Sequence, residues 1–151
     1  MSVADRLQEL GIVLPKAAAP VASYQPLVVD GGVVHLSGQL PFVNGTLVTG
    51  KLGAEVSLEQ GRQAARACGL MILAQLEAYN LLERVRRIVK LGAFISSVPD
   101  FHDQPKVANG ASDLMFEVFG ESGRHARSAV GVAVLPLNAA VEVDAVVALG
   151  D

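Results

Sequence analysis

Apolar and polar positions along the chain change period several times, and each change predicts an element. Ser57 with Gln60 three residues later forms a capping box, and Leu58, Ala65, Cys68, Ile72 and Leu76 then recur at helical spacing as far as Tyr79. Beyond Pro105, Val107, Ala111, Leu114, Met115 and Val118 make a second apolar stripe, with Gly120 where a helix C-terminus favours glycine. Val3, Leu7 and Leu10 predict a short N-terminal helix, which Pro15 to Pro20 break with the Ala-rich segment PKAAAP. Between these lie strand patterns. The text LVVDGGVVHL at 27–36 sets Asp-Gly-Gly between two β-branched runs and predicts a hairpin, and Asn44-Gly45 predicts a second turn within 42–48. Residues 88–97, 128–135 and 140–149 are further strand patterns, the last two joined across Pro136-Leu137-Asn138.

This order of hairpin, strand, helix, strand, helix, strand and strand predicts an α+β fold, an antiparallel or mixed sheet with two long helices packed on one face. With 151 residues there is room for one domain, at 21–151, preceded by the short helix and linker of 1–20. Mean hydropathy is +0.41 with 51% hydrophobic but only 5% aromatic residues, an apolar balance that points to surface shared between subunits. No stretch reaches the ~18–20 apolar residues of a membrane span, and MSVADRLQELG lacks the profile of a signal peptide, so a cytoplasmic protein is expected.

Twelve Lys and Arg against 15 Asp and Glu give a net charge of -3, the wrong balance for a nucleic-acid binder. The basic cluster Arg84, Arg86, Arg87 and Lys90 has no interleaved aromatics and reads as a solvated corner. Cys68 is the only cysteine and sits in an apolar stripe, which makes it a core residue. The three histidines, His35, His102 and His125, fall in different elements, so no metal site is expected. Signatures such as GxSxG, HExxH and CxxC are absent.

What stands out is polarity embedded in apolar strands. Arg127 heads the otherwise apolar HARSAVGVAVL, and its guanidinium must find an anion there, either a structural carboxylate or that of a ligand. Glu142 and Asp144 alternate with Val141 and Val143, so both carboxylates share one face of the last strand. They could be only the solvated face of a half-buried strand. If the last two strands pair as a hairpin through Pro136, Arg127 and a carboxylate approach the same region.

The segment ARSAVGVAVLPLNAAVEVDAVVAL resembles the C-terminal signature of the Rid/YjgF (reactive intermediate deaminase) family. HLSGQLPF at 35–42 is similar to that family's Ser-Gly-Gln-Ile/Leu-Pro motif, ASYQP at 22–26 to its Pro-Tyr-Ser-Gln motif, and VANGASDLMFEVFG to its Asn-bearing second helix. The resemblance implies a chorismate-mutase-like α+β subunit and a homotrimer whose sheets form a central barrel, with ligand clefts between subunits. It implies hydrolytic deamination of imines or enamines such as 2-aminoacrylate to keto acids and ammonia, without metal or organic cofactor; the alternative is a trimer that binds small carboxylates without turning them over. Residue by residue, Arg127 matches the arginine that clamps the substrate carboxylate and Glu142 the acid that positions water. Tyr24, Ser37, Gly38 and Asn109 match positions lining the cleft. Ala129 stands where many members carry cysteine, the approach to the second helix and the stretch up to Arg127 are longer than the usual pattern, and the N-terminal extension through Pro20 departs from it as well.

Overall fold

The computed structural model describes residues 1–20 and 22–151. Its elements run α1 (Val3–Glu9), β1 (Leu27–Asp30), β2 (Val33–Gln39), β3 (Phe42–Val43), β4 (Thr46–Leu47), α2 (Leu58–Ala78), β5 (Val85–Ser96), α3 (Gln104–Phe119), β6 (Ala126–Val132) and β7 (Val141–Leu149). The predicted capping box is formed: the Ser57 hydroxyl accepts from the Gln60 amide, and the Gln60 side chain accepts from the Ser57 amide. Two of the first-turn amides of α2 are thereby satisfied, which fixes where the helix starts. Among the described residues no helix is long and apolar enough to cross a membrane.

Five strands form one mixed sheet in the order β1-β2-β7-β5-β6, and β3 pairs with β4 in a separate small hairpin. The two C-terminal strands do not form the hairpin expected through Pro136. β5 lies between them, antiparallel to β7 and parallel to β6, so β6 is an edge strand. The cause is the path of the chain. A parallel partner requires a crossover, and α3 supplies it between β5 and β6; residues 133–140 then carry the chain back across β5 to β7.

Both long helices cover one face of the sheet. Leu91, Ala93 and Ile95 of β5 and Val141, Val143, Ala145 and Val147 of β7 are buried there with Cys68, Ile72 and Leu76 of α2 and Leu114 and Met115 of α3. The alternate residues point the other way: Lys90, Gly92 and Phe94 of β5 stand level with Val146, Asp144 and Glu142 of β7. That second face has no covering layer among the described residues, and Val28 and Val130 keep 54% and 45% of their surface exposed. Apolar strand residues left this open on a sheet mark a face that another surface can cover.

The two helices touch backbone to backbone at Gly110. A Cβ there would stand 1.9 Å from the carbonyl oxygen of Arg62, an atom no rotamer change can move. Gly110→Ala is therefore expected to destabilise the fold in spite of alanine's better helix propensity. Forcing α2 and α3 apart costs about 2–3 kcal/mol or more, which a thermal melt should record as a loss of about 4–12 °C for a chain of this size.

Candidate functional site

Residue alternation on β6 decides where Arg127 goes. Arg127 stands level with Leu91 of β5, which is buried beneath the helices, so its side chain rises on the helix face toward α3. There its Nη1 donates to Asn109 Oδ1 at 2.8 Å and to Ser112 Oγ at 3.0 Å. Both acceptors are neutral, and among the described residues the guanidinium forms no ion pair with a carboxylate. The Nε and Nη2 hydrogens have no protein acceptor among those residues either. A half-buried cation is thus pinned on one side with its bidentate edge unused, the arrangement suited to capturing a planar anion.

Around it, Ser112, Asp113 and His125 join Arg127 in lining a cavity of about 300 Å³ with Phe116 and Arg124; the Asp113 carboxylate pairs with Arg62 at 3.9 Å. Ser112 Oγ lies 2.8 Å from His125 Nε2, and His125 Nδ1 lies 2.7 Å from the Gly123 carbonyl oxygen. Arg124 sits over the Phe116 ring, 4.3 Å from its centroid, and pairs with Glu121 at 3.0 Å.

Glu142 belongs to the other face of the sheet. It stands level with Phe94, one residue out of phase with the buried Val141 and Val143. Arg127 and Glu142 therefore project from opposite sides of the sheet, and the expected approach of the two is corrected: it assumed a β6–β7 pairing that β5 prevents. Glu142 instead lies against β2. The pairing of β2 with β7 slips between Leu36 and Gln39, and a Cβ placed on Gly38 in that bulge would come within 2.6 Å of Glu142 Oε2. Only glycine leaves the carboxylate this room. Bulges of this kind commonly re-aim side chains beside active sites.

The Ser37 hydroxyl donates to the Gln25 carbonyl at 2.7 Å and the Ser37 amide to that of Pro26 at 2.9 Å, which seats the Tyr24–Pro26 segment against the bulge. Tyr24, Gly38 and Gln39 line a small cavity of about 90 Å³ with Ala18, Phe42 and Leu137. Ala18 is held there by Gln75, whose side-chain amide donates to its carbonyl at 2.7 Å. Two groups result from the six residues singled out in the sequence: Arg127 with Asn109 at the β6 edge, and Tyr24, Ser37, Gly38 and Glu142 around the β2 bulge.

Burial pushes the Glu142 carboxyl above its ordinary range, and the neighbouring Asp144 pushes it further. Asp144 is also raised by burial, with backbone hydrogen bonding at Gly92 and the charge of Lys90 pulling the other way. The Cys68 thiol is raised well above the usual range, first by complete burial, and donates to the Val141 carbonyl; it is a core residue without nucleophilic character. Among the described residues no group of three or more His, Cys, Asp or Glu is placed to hold a metal ion. The sequence singled out neither Ser112 nor His125. Ser112 lies three positions after Asn109, on the same helix face, and that spacing is the signal that could have found it.

Residues 4–149 match the family model described as "YjgF/chorismate_mutase-like, putative endoribonuclease". Protein TCP17 of Trypanosoma cruzi is 54% identical over 152 aligned positions, covering 99% of this chain and 95% of its own. A 2-iminobutanoate/2-iminopropanoate deaminase of Dermatophagoides farinae is 34% identical over 140 positions, covering 91% and 94%. Among solved structures, a protein of Shewanella oneidensis described in the same endoribonuclease terms superposes with a TM-score of 0.94 at 34% identity, over 99% of this chain and 100% of its own.

Proposed function

Because the chain belongs to the Rid/YjgF family, we propose that it is a cytoplasmic homotrimer that hydrolyses small 2-imino acids, or their enamine tautomers, to 2-keto acids and ammonia at clefts between subunits. The observation that carries this reading is the guanidinium of Arg127, held by neutral acceptors with no protein acceptor for its Nε and Nη2 edge among the described residues. A structural arginine this close to a core would have a carboxylate partner; one without it is poised for the carboxylate of a ligand.

The opposite projection of Arg127 and Glu142 makes the site composite. One ligand can reach both only if the β6 edge of one subunit meets the bulge face of the next, and the uncovered apolar face with Val28 and Val130 offers surface for that contact. In such a cleft Arg127 clamps the substrate carboxylate, and Glu142 of the partner subunit holds a water over the imine carbon. With the imine nitrogen protonated, Glu142 takes a proton as the water oxygen bonds to carbon, giving a neutral carbinolamine. Glu142 returns that proton to nitrogen and, as the C–N bond breaks and ammonia leaves, takes the hydroxyl proton, so that the carbonyl forms and the ammonia carries the proton away as ammonium. A carboxyl raised toward neutrality suits both directions of transfer, since its two forms then lie closer in free energy at working pH. The imine carbon is already electrophilic, so orientation by a bidentate clamp supplies much of the remaining requirement. The similarity to the Dermatophagoides deaminase supports the same substrate class.

The test supplies imines from an amino-acid oxidase in the presence of semicarbazide, which traps whatever imine survives. Faster imine loss with the protein, and less semicarbazone, is the expected result, alongside a trimeric mass by light scattering at micromolar concentration. A trimer that binds keto acids yet leaves semicarbazone formation unchanged across several amino acids would establish a carboxylate binder instead; a monomer would sink the composite site.

A further inference from the structure

We infer that Ser112 and His125 are positioning residues for the Arg127 clamp, forming a relay whose hydrogens all have one fixed direction. This inference rests on the reading of Arg127 as the group that binds carboxylate. The Gly123 carbonyl can only accept, so His125 Nδ1 carries a hydrogen and donates to it at 2.7 Å. Beside Nε2 at 2.8 Å stands the Ser112 hydroxyl, and the relay runs through it with the hydroxyl donating its single hydrogen to the ring. The Ser112 oxygen then turns its lone pairs to Arg127 Nη1, which donates to it at 3.0 Å. Asn109 Oδ1 takes the other Nη1 hydrogen at 2.8 Å. Both hydrogens of Nη1 are thereby occupied, and the planar guanidinium cannot swing without breaking both contacts.

The far end of the relay is rigid. Gly123 is buried, and a Cβ on it would stand 2.1 Å from the Met115 carbonyl oxygen, so the turn carrying the accepting carbonyl rests directly on the α3 backbone. Ser112, Asn109 and Met115 all belong to α3, which makes the helix the common frame for both ends of the chain of bonds. A serine–histidine pair of this geometry could be packing alone. Two features favour a role in the clamp: the relay ends on the guanidinium whose orientation the clamp depends on, and it brings no carboxylate to offset the cation a ligand would use.

The experiment measures pyruvate binding by calorimetry for the full chain, for Ser112→Ala, His125→Gln and their double variant, with thermal midpoints on the same preparations. Ser112→Ala removes one of the two acceptors of a charged donor and is expected to raise Kd about tenfold; His125→Gln, acting through Ser112, raises it about three- to tenfold. Because the residues act in series, the double variant should be no worse than Ser112→Ala alone, where independent contributions would multiply. In turnover the loss should appear in KM, with kcat within about twofold of the unaltered protein. Ser112→Thr keeps the hydroxyl and should bind like the unaltered chain, so the relay remains testable if Ser112→Ala folds poorly. Lowered midpoints with unchanged Kd, or a multiplicative double variant, would overturn the relay while the clamp stands. If Arg127→Ala itself leaves pyruvate binding intact, the clamp fails first and the relay with it.

Discussion

Arg127→Ala is expected to lose carboxylate binding while keeping its fold, with kcat/KM for a 2-imino acid or affinity for pyruvate falling about tenfold to a hundredfold. That range follows from the ~1.5–3 kcal/mol of a charge-assisted bidentate contact. The thermal midpoint should stay within about 4 °C, because no buried carboxylate is stranded when the guanidinium goes and only contacts to two neutral side chains are lost. A structural bridge to Glu142 or Asp144 would predict the opposite, but the two faces of the sheet separate them. Arg127→Lys should recover little, since an ammonium cannot be pinned through two hydrogens of one nitrogen and still present a planar edge. Calorimetry and a melt on one preparation of each variant decide the matter: a collapsed midpoint, or normal affinity at a normal midpoint, would refute the clamp.

Glu142→Gln should move activity and stability in opposite directions. Turnover is expected to fall by about 10²–10⁴, the usual contribution of a positioned acid–base group, because the amide fills the same space beside Gly38 without taking a proton. Stability behaves differently because the folded-state pKa of Glu142 lies above its ordinary value of 4.5. The folded protein holds that proton to higher pH than the unfolded chain. This contribution is therefore fully present below the ordinary glutamate range and is lost as pH rises through the folded pKa. The variant has no such loss, so its midpoint relative to the unaltered protein should rise as pH climbs from the ordinary glutamate range through the raised folded-state pKa and then level off. A midpoint difference that shrinks over that interval would contradict the desolvated, Asp144-opposed carboxylate. The same substitution also tests the composite cleft. Refolding Arg127→Ala and Glu142→Gln together in equal amounts should restore about a quarter of the sites in a cyclic trimer, since each cleft draws one residue from each of two neighbours. Two inactive preparations that stay inactive when mixed would place both residues in one subunit's site or dissolve the site altogether.

The glutamate and arginine differ in how far their environments could be read without coordinates. That Glu142 and Asp144 share a face followed from the strict alternation of strand residues, and the structure keeps them together. Their burial did not follow, because it depends on Gly38 and Gly92 standing opposite, and those glycines are distant in sequence. For Arg127 the unusual location was visible as one cation at the head of an apolar strand. Of its partners, Asn109 was reached only through the family resemblance and Ser112 not at all, since contact across α3 and β6 depends on packing rather than spacing. His125 was set aside with the other histidines as too scattered for a metal site, although two residues from Arg127 it alternates onto the same side of the chain.

The sequence by itself determined the elements, the capping of α2, the helix-covered face and the residues too polar for their surroundings. These rest on local propensities and on periods of 2 and 3.6 that need no knowledge of neighbours. Tertiary structure alone decided the strand order. A run of residues after Pro136 is compatible with a hairpin or with a return across β5, and only the packing of α3 over a parallel β5–β6 pair selects between them. That single choice put Arg127 and Glu142 on opposite faces of the sheet, a separation that no period of the sequence encodes.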